Sequence, residues 1–91
     1  MTKGQAEIVA LNALGWLAEA ELLDAFQSAT GADRETIRAA AGDAQFLGAV
    51  LDFVLMDDAW VRGVCSAQGL PFDALVAARA ALPGVEIPHW T

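Results

Sequence analysis

Residues 44–58 read AQFLGAVLDFVLMDD, and this stretch decides the fold class. Its interior polar residues, Gln45 and Asp52, stand seven positions apart, which places them on one narrow stripe of a helix. The other faces are apolar, a pattern typical of a helix at the centre of a bundle. Asp57 and Asp58 then favour a new helix start, because carboxylates suit the positive end of a helix. The stretch therefore predicts two successive helices, the first of them central.

Helix signals recur on both sides of this stretch. Before it, Thr2 and Gln5 resemble a capping box that opens a first helix, apolar on most faces and running to about Ala18. Gly31 suits a left-handed helix end, and Gly69 stops the fifth helix. The sequence thus predicts an all-α fold, a small compact bundle of five or six short helices. The helices after the first are predicted over residues 20–30, 34–41, 44–56, 58–68 and 71–82, the last with Pro71 in its first turn.

Domain organisation follows from the absence of a dividing linker in the sequence. The breaks at Asp33 and Asp43 are short, and these two residues are the predicted N-caps of the third and fourth helices. We expect a single helical domain over residues 1–91, with residues 83–91 as an extended C-terminal tail that begins at Pro83.

A faint internal repeat appears at an offset of 38 residues. It aligns SATG at 28–31 with SAQG at 66–69, and Ile37 with Leu75. One interpretation is two pseudo-repeated three-helix units, with the first and fourth helices at the centre. The other interpretation is coincidence, because an alanine-rich chain readily matches itself.

Composition limits the partners that the chain can bind. Twelve acids against five bases give a net charge of −7, which repels phosphate backbones and anionic membranes. The hydrophobic fraction is 56%, although twenty of those residues are alanine. A chain of 91 residues has little interior, so we expect some apolar surface to remain for a protein partner or a second copy.

Sequence motifs for catalysis, cofactors and localisation signals are missing. There is no P-loop, GxGxxG, GxSxG or HExxH motif, and a single cysteine, Cys65, excludes Cys-Cys metal pairs and an internal disulfide. The apolar stretch at 8–18 is too short to span a bilayer, and no signal peptide is recognisable. We expect a cytoplasmic protein without enzyme activity, cofactor or metal, with Cys65 as a small hydrophobe on the inner face of its helix.

The last residues, 86–91, read EIPHWT and raise two alternatives. Pro88 stiffens the approach to His89 and Trp90. In the first alternative, Trp90 packs into a groove between helices and seals the domain, because a buried indole stabilises a small domain considerably. In the second, His89 and Trp90 are presented to a partner as a docking element.

Asp57, Asp58 and Trp60 form a second candidate interaction site. The two acids are favoured as a helix cap and a first-turn charge, with an acidic contact site as the alternative. Trp60 lies in the first turn of the fifth helix, and we expect it to be more exposed than Trp16. Asp52 is expected on the solvent stripe with Gln45; were it buried, it would need an arginine, and the available ones are Arg38, Arg62 and Arg79.

Residues 26–38, FQSATGADRETIR, resemble a helix-turn-helix. A glycine separates two short helices, and the second carries Arg34 and Arg38. The same pattern describes any corner between two helices. With only five basic residues in the chain, phosphate contacts would be few, so nucleic acid is a minor alternative.

Four motifs along the chain resemble a known family. ALGWLA at 13–18, FLGAVLDFVLMDDAWV at 46–61, ARAALPG at 78–84 and the terminal HWT resemble short alphaproteobacterial proteins classed as domain-of-unknown-function family 3572. The resemblance covers essentially the whole chain in the right order. It implies a small helical bacterial protein without an assigned activity, so it transfers no catalytic or ligand-binding residue.

These observations together predict an interaction or regulatory module. We expect the protein to bind another protein, or itself, through a helical surface. The alternatives are a helix-turn-helix-like nucleic-acid-binding regulator and an enzyme of unknown type.

Overall fold

Six α-helices make up the regular structure of residues 1–83, the part of the chain that this computed structural model describes. No strand occurs among those residues, so the all-α prediction is confirmed. The radius of gyration is 12.3 Å, close to the value of about 12 Å for a compact chain of this length. The helices are α1 (Lys3–Glu19), α2 (Leu23–Thr30), α3 (Arg34–Ala40), α4 (Ala44–Val54), α5 (Asp58–Gln68) and α6 (Ala74–Ala80).

Four helix starts carry the side-chain caps that the sequence predicts. Thr2 Oγ1 accepts a hydrogen bond from the backbone N–H of Gln5, whose side chain accepts one in return from the N–H of Thr2. Asp33, Asp43 and Asp57 each accept a hydrogen bond from a first-turn N–H of α3, α4 and α5, respectively. These bonds satisfy donors that have no partner inside the helix.

Two helix starts differ from the sequence prediction. The second helix begins at Leu23, because Glu21 adopts a left-handed conformation, with φ of 62°, and ends α1. The N–H of Leu22 then bonds to the carbonyl of Leu17 at 2.9 Å, and the N–H of Glu21 to that of Ala18 at 3.2 Å, which together form a Schellman motif. No glycine marks this turn, so the sequence prediction was wrong here.

The sixth helix also begins later than predicted. Pro71 lies in a preceding turn and not in the first helical turn; its carbonyl accepts a hydrogen bond from the N–H of Ala74 at 3.0 Å. Asp73 precedes α6 without a side-chain capping bond. Gly31, in contrast, takes the predicted left-handed conformation, with φ of 77°, and Gly69, the predicted end of the fifth helix, has φ of 68°.

α1 occupies the centre of the bundle and packs against α4, α5 and α6. Ala6, Ala10 and Ala13 are fully buried along one face, so the neighbouring helices can approach closely. Leu17 continues this face into the core. The central position of the first helix is therefore as the sequence predicts, with an exception on one face that is described below.

Aromatic contacts join α2 to the α4–α5 pair. Phe26 is fully buried and meets Phe46 and Phe53 edge-on, with ring centroids 5.9 and 5.3 Å apart. Phe53 also stacks on Trp60 at 4.8 Å. Such aromatic pairs stabilise a core beyond the area that they bury.

The helices of the proposed repeat correspond in order along the chain. α2 and α5 both end at a left-handed glycine, Gly31 and Gly69, which stand at the predicted offset. Ile37 and Leu75 are both buried. Ile8 is exposed, however, whereas Phe46 is half-buried, so the two units have different surroundings. A structural duplication stays a prediction.

A buried arginine lies between α4 and α6. Arg79 donates through Nε to Oδ1 of Asp52 at 2.6 Å and through Nη1 to the carbonyls of Leu82 and Pro83. The arginine side chain is 10% exposed and the aspartate side chain 58% exposed. Asp52 therefore lies on the solvent side as predicted, and it is the cation that is buried.

Candidate functional site

An apolar face of α1 is left uncovered by the other helices. Gly4, Ile8, Leu11 and Gly15 follow one another at helical spacing and form what we call the α1 stripe. Ile8 is 62% exposed and Leu11 46%. Apolar residues on most faces of the first helix predict a central, buried helix, and that prediction is wrong for this face, because the core is built on the opposite face, around Ala10.

Two shallow grooves separate the α1 stripe from α3. One, of about 380 Å³, extends along the C-terminal half of α1 and is open to solvent. The other, of about 310 Å³, extends along the N-terminal half and includes Glu7 and Leu47. The first groove is lined by Leu11, Leu14, Gly15, Ala18, Leu23, Arg34, Ile37, Arg38 and Ala41.

Two further grooves lie on the other side of the α1 stripe, against the end of α5. Their volumes are about 420 and 490 Å³, and Gln68 lines both. Gln68 Nε2 donates to the backbone carbonyl of Val9 at 3.2 Å, and Asn12 Nδ2 donates to Gln68 Oε1 at 3.5 Å. These bonds fix the end of α5 beside α1, so the stripe stands as a ridge between two walls.

The charges beside the α1 stripe are unusual for so acidic a chain. Arg34 and Arg38, one helical turn apart on α3, both line the larger α3 groove and are exposed. Within residues 1–83 the only ion pair is that between Arg79 and Asp52, so neither of these two arginines is paired with a described carboxylate. The groove therefore combines an apolar floor with a cationic edge.

The site residues that the sequence predicts are not part of this surface. Asp57 is the N-cap of α5, accepting a hydrogen bond from the N–H of Ala59 at 2.8 Å, and Asp58 is an exposed first-turn residue. Trp60 is half-buried against Phe53, and Trp16 is half-buried as well. None of the four grooves is lined by Asp57, Asp58 or Trp60.

The other two predicted interaction residues, His89 and Trp90, lie outside the described residues. The same holds for Pro88 and for the predicted tail beyond Pro83. Both alternatives for this segment, packing between helices and presentation to a partner, therefore stay predictions.

Cys65 is buried on the inner face of α5, as expected of a small hydrophobe. Burial raises the pKa of its thiol, and the negative charge of Asp73 raises the pKa further. The sulfur lies 3.9 Å from the carbonyl oxygen of Phe72. Among residues 1–83 no group of three or more histidine, cysteine or carboxylate side chains is arranged to hold a metal ion.

A family comparison agrees with the motifs along the helices. The model of a family described as a protein of unknown function, DUF3572, matches residues 3–85. The chain belongs to this family. The DUF3572 match spans all six helices and the whole α1 stripe, and it ends before the terminal HWT. No curated protein and no solved structure matches the chain.

Between residues 1 and 83, no helix has both the length and the apolar character that crossing a bilayer takes.

Sequence reasoning missed the α1 stripe, although one signal was available. Two glycines inside a long helix, Gly4 and Gly15, reduce helix propensity without a turn to explain them. Both flank the two apolar residues that remain exposed, Ile8 and Leu11.

Proposed function

We propose that this protein is an interaction module that binds a polypeptide through the α1 stripe and its flanking grooves. The observation that carries the proposal is the exposure of Ile8 and Leu11 at the centre of a ridge with an open groove on each side. Covering both side chains would contribute on the order of 1 kcal/mol each. Other exposed apolar residues, Met56, Phe72 and Val76, do not line these grooves.

We propose that the protein binds its partner and catalyses no reaction. The larger of the two α3 grooves is lined mainly by apolar residues, and its charged residues are both arginines. A regulatory role would follow if the partner is itself an enzyme or a regulator. We also propose a cytoplasmic location, which is supported by the single cysteine, Cys65, kept as a free buried thiol.

A nucleic-acid partner is less well supported by the same features. Arg34 and Arg38 belong to the helix-turn-helix-like segment, but they stand at the edge of an apolar groove shared with α1. The net charge of −7 opposes phosphate binding. We therefore propose a protein partner.

Photo-crosslinking in cells of the natural host tests this proposal. A photoreactive amino acid replaces Leu11 in one variant and Val76 in the control, because Val76 is 60% exposed on α6 and lines none of the four grooves. We expect adducts of higher mass from position 11 and few from position 76. Absence of adducts at position 11, or equal adducts at both positions, would contradict the proposal.

A further inference from the structure

We propose that the partner seated on the α1 stripe is a second copy of this chain, with the two α1 helices packed antiparallel around a two-fold axis. This inference rests on the proposed function, since it names the polypeptide that the surface binds. It follows from the positions of the stripe residues, from the space around them and from the charges beside them.

The α1 stripe is symmetric in sequence about the midpoint between Val9 and Ala10. Ile8 and Leu11 are equally far from that midpoint, and so are Gly4 and Gly15. In a two-fold interface a residue i that contacts residue j is matched by j contacting i. An antiparallel pair centred on this midpoint therefore places Ile8 against Leu11 of the second copy, and Gly4 against Gly15.

The space around the stripe suits this pairing. Apolar side chains, Ile8 and Leu11, stand at its centre, and at the two glycines at its ends no atom from beyond the adjacent residues and the local helix backbone lies within 4 Å of the position that a Cβ would occupy. In the antiparallel pair Ile8 and Leu11 stand at the crossing point and set the distance between the two helices, whereas the glycines leave the ends of the contact free of side chains. Gly4 and Gly15 therefore supply open backbone at both ends of the contact.

Charges on the α3 side complement each other under the same symmetry. Glu7 lines the groove beside the N-terminal half of α1, and Arg38 lines the groove beside its C-terminal half. The two-fold axis brings the α3 flanks of the two copies together in opposite directions. Glu7 of one copy then lies at the same position along the helix axes as Arg38 of the other copy. The two-fold symmetry repeats the pair, so it occurs twice. It offsets part of the repulsion expected between two chains of net charge −7.

A dimer interface of standard size would occupy most of one face of this molecule. Standard interfaces bury about 800 Å² on each partner. The molecule measures 31 × 27 × 24 Å, so each of its faces is of that order. The α1 stripe alone is narrower than a face, and the flanking surfaces of α3 and α5 must therefore join the contact.

Sedimentation velocity of the full chain, from about 1 μM to about 1 mM, tests the dimer. We expect a concentration-dependent monomer–dimer equilibrium. Ile8→Glu should weaken it at least tenfold, because the charge would be buried. Val76→Glu introduces the same charge at an equally exposed position on α6 and should leave the equilibrium unchanged. Circular dichroism checks that all variants are folded.

Cysteine pairing tests the register. In a Cys65→Ala background, Gly4→Cys and Gly15→Cys are prepared separately, mixed and oxidised. The antiparallel pair predicts a mixed disulfide between the two variants and little from either one alone, because identical positions stand about 16 Å apart along the helix axes. A disulfide formed equally well by each variant alone would overturn the register.

A charge exchange tests the flank contact. Glu7→Arg and Arg38→Glu should each weaken the dimer, and the double variant should restore it. Failure of the double variant to recover would overturn the contact between Glu7 and Arg38.

The dimer and the proposed function fail in different ways. A wild-type chain that stays monomeric at about 1 mM overturns the dimer. If crosslinking from position 11 then still yields adducts with a different protein, the proposed function stands. Attachment of the crosslinker to residues 84–91 of the same chain, seen by mass spectrometry, assigns the surface to that segment and overturns both.

Discussion

The indole of Trp16 on α1 lies against the backbone of Gly63 on α5, so closely that a Cβ atom at position 63 would overlap the ring. Gly63→Ala forces the indole out of its place, and we expect the free energy of unfolding to fall by about 1–3 kcal/mol. Urea unfolding at about 1 μM protein measures this change.

The control for Gly63→Ala is a glycine with free space. Gly15 lies inside an α-helix, as Gly63 does, but a Cβ added at Gly15 meets nothing within 4 Å. Gly15→Ala should raise the free energy of unfolding by about 0.5–1 kcal/mol through helix propensity alone. Equal destabilisation by both substitutions would show that the indole contact is not the cause.

Arg79 and Asp52 should contribute unequally to stability although they form one ion pair. Asp52→Asn removes a charge from a side chain that is 58% exposed, so the loss should be at most about 1 kcal/mol. Arg79→Ala removes the buried side chain together with its bonds to the carbonyls of Leu82 and Pro83, and should cost about 2–4 kcal/mol. Chemical unfolding compares the two, and equal losses would mean that only the ion pair matters.

Glu21 is a site where one substitution should stabilise the protein. Its left-handed conformation, with φ of 62°, is unfavourable for any residue with a Cβ. Glu21→Gly should therefore raise the free energy of unfolding by about 1 kcal/mol. Glu21→Ala separates the effect of the charge from that of the backbone, and it should leave the stability close to that of the wild type.

Cys65 should react slowly with alkylating reagents in the folded protein. Burial raises the pKa of its thiol and Asp73 adds to the effect, so less thiolate forms at a given pH. Asp73→Asn should lower the pKa of Cys65 and speed alkylation, whereas Asp52→Asn, whose carboxylate is not among the causes of this shift, should not. Alkylation at equal rates in folded and urea-unfolded protein would contradict the burial.

The raised pKa of Cys65 also sets the sign of a pH dependence. The folded state holds the thiol proton to higher pH than the unfolded state does. The stabilisation is therefore fully present below the pKa of the unfolded thiol and is lost as pH rises through the folded pKa. Cys65→Ala should remove this part of the decline in urea unfolding curves measured at alkaline pH.

Helix boundaries show which part of the fold a sequence can predict. Starts that depend on a capping side chain, at Asp33, Asp43 and Asp57, follow from local chemistry and are predicted correctly. The turn at Glu21 is decided by packing of the residues around it, because a glutamate carries no signal for a left-handed conformation. The start of α6 after Pro71 also lacks a local signal, because Asp73 precedes this helix without a side-chain capping bond.

The candidate site could be predicted only in part for a similar reason. The apolar content of α1 predicts contact on most faces, but the number of helices available to cover it is a property of the whole bundle. Three neighbours cover the face around Ala10 and leave Ile8 and Leu11 open. Asp57 and Asp58, in contrast, form an acidic pair that the sequence marks as a candidate site, but Asp57 caps α5.

Arg79 also fixes the point from which the chain leaves the helical body. Its Nη1 holds the carbonyl of Pro83 at 3.2 Å, and both groups stand over Gly48, where a side chain would find no room. The chain beyond position 83 therefore starts from a fixed spot beside Gly48 on α4. The preceding residue, Leu47, lines the groove beside the N-terminal half of the α1 stripe. A label attached through an exposed side chain of α6, such as Val76, would instead begin at a position that lines none of the four grooves.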